Sequence, residues 1–176
     1  MDVIATSAGD TGFDPLTGLA TREKFHQRAE AEWARRARDH GPMSVLLVDV
    51  DRMDAYRGVQ GAVAAEDCLR KVADIIASNC RRRGDFAGRL RDHNFAVLLS
   101  ETTPKGGEKM GGQIRKAVEQ LDLGDVAAST KITVSVSVAS VIPKPSRFIE
   151  SLLILADEGL GKATDQGGNC VVCVRE

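Results

Sequence analysis

Net charge is what this sequence most conspicuously lacks: 24 basic side chains meet 25 acidic ones over 176 residues, leaving a formal balance of -1. Without a bulk positive field, neither a nucleic-acid backbone nor an anionic membrane surface is held by electrostatics, so both are excluded as partners. An anionic ligand has to be gripped locally. Long apolar runs are missing too; Leu152 to Ala156 is as long as they get, and no basic, apolar and small-residue export signal stands near the N-terminus. The expected location is cytoplasmic. Cysteine is scarce, at Cys68, Cys80, Cys170 and Cys173, and only the last two have a metal-type gap with no second pair to complete it. Their apolar, β-branched surroundings read as a terminal strand with small packed thiols.

What is present is enough for one hydrophobic core and too little for two domains: 43% of the residues are hydrophobic and 28% charged. Residues 1–12 are small and polar without periodicity and read as a flexible lead-in; organisation begins at Phe13 and residues 13–176 form one domain. Thr21 to Arg38 repeats Phe25, Ala29 and Trp33 at helical spacing before the stop His40-Gly41-Pro42. Met43 to Val50 reads as a buried strand whose tip carries Asp49 and Asp51, and chemistry often sits at such tips. Ala62 to Cys80 places Val63, Leu69, Val72, Ile75 and Ile76 on one helical face, closed by Arg81-Arg82-Arg83-Gly84.

A hairpin comes next, with Phe86 to Leu90 and Phe95 to Leu99 separated by the polar Arg91-Asp92-His93-Asn94. Lys105 to Leu121 predicts a helix, Lys131 to Val141 an alternating strand, Arg147 to Thr164 a helix and Val171 to Val174 a last strand. This order predicts an α/β (α+β) domain, a mainly antiparallel central sheet covered by helices. Gly106-Gly107 and Gly111-Gly112 lack the Lys-Ser/Thr that ends a phosphate loop. Trp33 reads as helix packing, and His26 and His40 as surface residues.

Four stretches carry a family resemblance: Asp14-Pro15-Leu16-Thr17-Gly18-Leu19 with Arg22 and Phe25; Asp49-Val50-Asp51; Phe95-Ala96-Val97-Leu98-Leu99; and Thr133 to Val136 with Ala156-Asp157 and Gly167-Gly168-Asn169. In order and spacing they resemble the GGDEF domain of diguanylate cyclases, from Asp14 to Val174. The resemblance implies a nucleotidyl-cyclase palm-like, ferredoxin-like fold and, for an active member, condensation of two GTP molecules across a dimer with magnesium easing charge on the phosphates.

On that register the signature Gly-Gly-Asp/Glu-Glu-Phe falls on Arg91, Asp92, His93, Asn94 and Phe95. Two glycines would let backbone approach a triphosphate, whereas Arg91 and Asp92 add side chains, one of them anionic. His93 stands where a carboxylate would hold a hard cation. The guanine-reading asparagine falls on Arg57, the lysine near the metal strand on Asp54, the glycine-histidine pair on Gly61 and Ala62, the acidic guanine contact on Glu66, and the phosphate-binding lysine and arginine on Thr164 and Gly168. Asp49 and Asp51 remain as remnant metal ligands. No cyclase turnover and no cofactor are expected, Mg2+ being required only of an active member.

The family's inhibitory site is an Arg-x-x-Asp sequence shortly before the signature, matched here by Arg82-Arg83-Gly84-Asp85. An arginine forks onto guanine or phosphate and an aspartate accepts from guanine N–H groups, each pair worth roughly 1 to 3 kcal/mol. Arg81, Arg83 and Arg89 are candidate auxiliaries. A basic triplet closing a helix is also what a solvated cap looks like. The leading expectation is a non-catalytic, cyclic di-GMP-binding signalling module, able to form a homodimer through its helices and joined to a further signalling domain. An interaction module without nucleotide binding and a residual cyclase remain the alternatives.

Overall fold

The computed structural model describes residues 12–125 and 130–175, so the expected lead-in, Gly12 apart, lies outside the described residues. The elements run α1 Arg22–Asp39, β1 Met43–Asp51, α2 Met53–Gln60, α3 Ala62–Asn79, β2 Phe86–Arg91, β3 Asn94–Ser100, α4 Pro104–Glu119, β4 Thr133–Val141, α5 Ile149–Asp165 and β5 Val171–Val174. The strands lie in the order β2-β3-β1-β4-β5. Every pairing is antiparallel except the parallel β4–β5 edge, in agreement with the predicted sheet.

β1 is central because both of its faces are apolar. Met43, Val45 and Leu47 join a cluster with Phe25, Ala29 and Trp33 of α1 and Ile149, Leu152 and Ala156 of α5. Leu46, Val48 and Val50 point the other way, into a cluster with α3 and α4. The sheet is thus sandwiched, α1 and α5 on one face and α3 and α4 on the other. In α3 the buried positions are Ala65, Cys68, Leu69, Val72, Ala73 and Ile76, a regular helical stripe. Val63 sits two residues off that stripe and is 80% exposed, which corrects its placement on the packed face.

Three features go beyond what the sequence pattern shows. A helix that the sequence pattern did not reveal, α2, comes directly after β1: Arg52 turns the chain in the left-handed region (φ 60°), and Met53 and Tyr56 anchor eight residues too short to show periodicity. β4 alternates as predicted, but Ser135 and Ser137 on its second face are fully buried. A Cβ on Gly159 of α5 would collide with Ser137 Oγ, so small residues on both sides let helix and strand approach closely. One glycine of each α4 pair has the same role: a Cβ on Gly107 would lie 2.7 Å from Val138 Cγ1 and one on Gly111 3.2 Å from Val136 Cγ1.

The Asp14–Leu19 motif builds a turn that seals a sheet edge. Asp14 accepts from Thr17 N (2.9 Å) and Thr17 Oγ1 (2.6 Å), and Gly18 takes φ 71°. Next in the chain, Ala20 O accepts from Arg89 N (2.9 Å), which covers the outer edge of β2.

Candidate functional site

The register of β1 against β3 and β4 brings three strand ends together. Asp49 faces Asn94 on one side and Ser135 on the other, and Asp51 faces Thr133. The two carboxylates, equal in sequence type, have different environments. Asp51 Oδ2 accepts from Thr133 Oγ1 (2.6 Å) and from Asn169 N (3.0 Å), and its Oδ1 accepts from Ser135 Oγ (2.6 Å). It ties the β4 start and the α5–β5 turn to β1. Gly168 (φ 78°) closes that turn so tightly that a Cβ would lie 2.9 Å from Asp51 Oδ1.

Asp49 is the less satisfied acid. Asn94 Nδ2 donates to its Oδ1 at 2.5 Å, and His93 Nε2 stands 3.4 Å from the same oxygen. Burial pushes the Asp49 carboxyl above the usual carboxylate range; the nearby Asp51 and Asp54 charges add to this, and His93 and Asn94 oppose it. His93 Nδ1 is buried and has no hydrogen-bond partner among the described residues. A cleft of about 350 Å³ opens here, lined by Asp49, Asp51, Asp54, His93, Thr164 and the Gly167-Gly168 backbone. Arg52 also borders it.

The turn of the hairpin is only Asp92-His93, since Arg91 and Asn94 pair with each other, which shortens the predicted four-residue connection. Arg89 fixes this turn: Nη2 and Nε donate to Asp92 O at 2.6 and 3.1 Å, while Nη1 donates to the Asp14 carboxylate at 3.2 and 3.3 Å. Asn169 was legible only as part of a motif. In the fold its Oδ1 accepts from Arg115 Nη1 (2.9 Å) and its Nδ2 donates to Glu119 Oε1 (2.8 Å), locking α4 to the strand-end turn.

A second polar site lies at the opposite end of the sheet, where Met43 of β1 pairs with Ser100. Six residues of strand separate it from Asp49, or roughly 20 Å. Arg81, Arg82, Arg83 and Asp85 share the α3–β2 connection. Asp85 is buried; Oδ2 accepts from Arg82 N (3.3 Å) and Oδ1 from Ser100 N (3.2 Å). Burial raises its carboxyl pKa against the pull of those two N–H groups and of the Arg82 charge. The same burial, with Asp85 nearby, pushes the Cys80 thiol up to about 12.

Arg81 Nε donates to Ser78 O (2.9 Å) and so caps α3, the plain role weighed for it. Arg82 borders two clefts: one of about 570 Å³ with Asn79, Asp85, Lys109 and Gln113, and one of about 710 Å³ with Arg28, Arg35 and Arg83. Lys109 and Gln113, on α4, were not legible as site residues because only the packing of α4 beside α3 brings them there. Arg89 does not join this group. It lies at the hairpin end, engaged with Asp92 and Asp14, and lines neither cleft that Arg82 borders.

Residues 11–170 match the family described as "Diguanylate cyclase, GGDEF domain". The chain belongs to the GGDEF domain family. Among curated relatives of this GGDEF domain, Diguanylate cyclase DgcP of Pseudomonas aeruginosa is 30% identical over 88% of the chain, and Diguanylate cyclase DosC of Escherichia coli is 29% identical over 94%. The chain spans 22% of the former's length and 35% of the latter's. The GGDEF domain of DgcB from Caulobacter crescentus, solved in complex with c-di-GMP, superposes with a TM-score of 0.84 at 23% identity over 93% of each chain. The GGDEF assignment accounts for the sheet and both helical layers. No helix among the described residues is long and apolar enough to cross a membrane.

Proposed function

We propose that this GGDEF domain is catalytically silent and acts by binding cyclic di-GMP at the cleft around Arg82 and Asp85. The observation that carries the first half is the occupation of Asp49 by protein groups: Asn94 donates to the oxygen that a metal would need, and His93 brings a nitrogen to the same atom. Asp51 is engaged by three protein donors. Magnesium prefers near-octahedral oxygen ligation, and here the Asp49 and Asp51 carboxylates are already hydrogen-bonded and an imidazole stands beside them, with Asp54 further along the lining, a poor match. Thr164 and Gly168 line this cleft where the family resemblance expects a phosphate-binding lysine and arginine, and Arg57 stands where it expects the guanine-reading asparagine, so a triphosphate meets three acids with Arg52 as the one guanidinium on the described lining.

The second half rests on chemistry and space. Arg82 brings a guanidinium to a cleft that also holds Lys109 and a carboxylate, the donor and acceptor set that a guanine edge and a phosphate need together. Asp85 keeps acceptor capacity, since each of its oxygens takes one backbone hydrogen bond. The DgcB relative in complex with c-di-GMP supports the choice of ligand. Partners are implied by this reading: cyclic di-GMP as ligand, a second copy as dimer mate, and a linked signalling domain as the receiver.

Titration calorimetry with cyclic di-GMP tests the site. Binding that disappears in Arg82→Ala, with folding intact, is expected; equal heats from that variant would sink the assignment. Incubation with GTP and Mg2+ or Mn2+ followed by chromatography tests the silence, and accumulating cyclic dinucleotide would end it.

A further inference from the structure

His26, on the first turns of α1, and Glu150, on the first turn of α5, are 124 residues apart in sequence, yet His26 Nε2 stands 2.9 Å from Glu150 Oε1. Glu30 lies one helical turn beyond His26, and the three ligand atoms are within 4.8 Å of one another. None of the three residues lines any of the three clefts described above. We infer that His26, Glu30 and Glu150 form a binding site for a divalent transition-metal ion of the zinc class, clamping α1 to α5.

The donor set suits such an ion. Zinc accepts one imidazole and two carboxylates at about 2.0 to 2.2 Å, which places tetrahedral ligand atoms roughly 3.3 to 3.5 Å apart. The His26–Glu150 pair needs to open by only a few tenths of an ångström. The third ligand arrives by a rotamer change of Glu30, whose side chain is exposed and long enough to make it. Histidine and glutamate four apart on a helix present their ligand atoms on one face, as paired ligands require. The exposed side supplies solvent for a fourth position. Arg22 lines the cleft beside His26, and Arg147 lines the one beside Glu30 and Glu150; both oppose a cation and set the affinity in the modest range. An imidazole in the set disfavours magnesium, which selects oxygen.

The whole chain, freed of metal with a chelator, is titrated with zinc chloride in competition with a chromogenic chelator. One zinc ion per chain is expected, with no displacement by excess Mg2+. His26→Ala, at a half-buried position, and Glu150→Gln, at an exposed one, both checked by circular dichroism, should each weaken binding at least about tenfold. Zinc at about a hundredfold over its Kd should raise the unfolding midpoint of the parent chain by roughly 5 to 10 °C and leave that of His26→Ala unmoved. A Cys170→Ser/Cys173→Ser chain should bind like the parent. Absence of saturable binding, undiminished binding by His26→Ala, or loss of binding in the cysteine variant overturns the site.

Discussion

Asn94 and Asp49 face each other across β3 and β1, and the Asn94 amide donates to Asp49 Oδ1 at 2.5 Å. An amide thus holds the acid on the strand tip in place, and the acid in turn fixes the base of the hairpin. At the opposite end of the sheet Asp85 is held instead by two backbone N–H groups, those of Arg82 and Ser100. Side chains therefore occupy the acid at one end and leave the arginine side chain beside the acid at the other open to a ligand.

Asp49 is held at a cost. Its carboxyl pKa lies above the unfolded value of 3.8, chiefly through burial, so the folded state takes up a proton more readily than the unfolded one. Its contribution to stability is therefore greatest below the unfolded pKa and declines as pH rises through the folded one. Asp49→Asn keeps an acceptor for Asn94 and removes the buried charge. Its thermal midpoint should exceed that of the parent at pH 7, with the gap closing as pH falls toward 4; a lower midpoint at pH 7 would count against this account.

Asp51 is the opposite case. Replacing it by Ala strands two hydroxyls and the Asn169 N–H, and should cost about 3 kcal/mol, seen as a fall of roughly 6 to 12 °C in the thermal midpoint. A loss under about 1 kcal/mol would mean that solvent replaces these bonds readily.

Arg89 and Arg82 should separate cleanly. Arg89→Ala frees the Asp92 carbonyl and Asp14, and should lower stability by about 1 to 2 kcal/mol in chemical denaturation while cyclic di-GMP binding is unchanged. Arg82→Ala, whose guanidinium has no hydrogen bond among the described residues, should reverse the pattern. Loss of binding with Arg89→Ala at full stability would restore Arg89 to the ligand site.

Grafting the family signature, Arg91→Gly, Asp92→Gly, His93→Asp and Asn94→Glu in one chain, should fail to produce cyclase activity. On the proposed reading Arg57, Thr164 and Gly168 still stand where a guanine-reading asparagine and a phosphate-binding lysine and arginine would be needed, and a side chain at 168 would meet Asp51. Product from the grafted chain, detected by chromatography, would place the whole deficit in the hairpin.

The sheet and most helices were legible because their residues repeat at strand or helix period, as in Val45 to Val48 or Ala65 to Ile76. The signal failed where periodicity had no room or was disguised. Eight residues of α2 with two buried anchors carry no stripe, and Val63 is apolar without being packed. Ser135 and Ser137 alternate as polar residues along β4, yet their face is buried because Gly159 lets α5 approach it closely.

For the candidate sites, sequence alone determined identities and spacing: Asp49 and Asp51 two apart at a strand tip, the polar Arg91-Asp92-His93-Asn94 before Phe95, and Arg82 three residues before Asp85. Tertiary structure decided which of these groups are already engaged. Asp51 met Thr133, Ser135 and Asn169, Arg89 met Asp14, and His26 met Glu150, each across a long stretch of chain. Such pairings depend on register and helix packing, which position side chains to within a fraction of an ångström, and no local pattern of residue types encodes that distance.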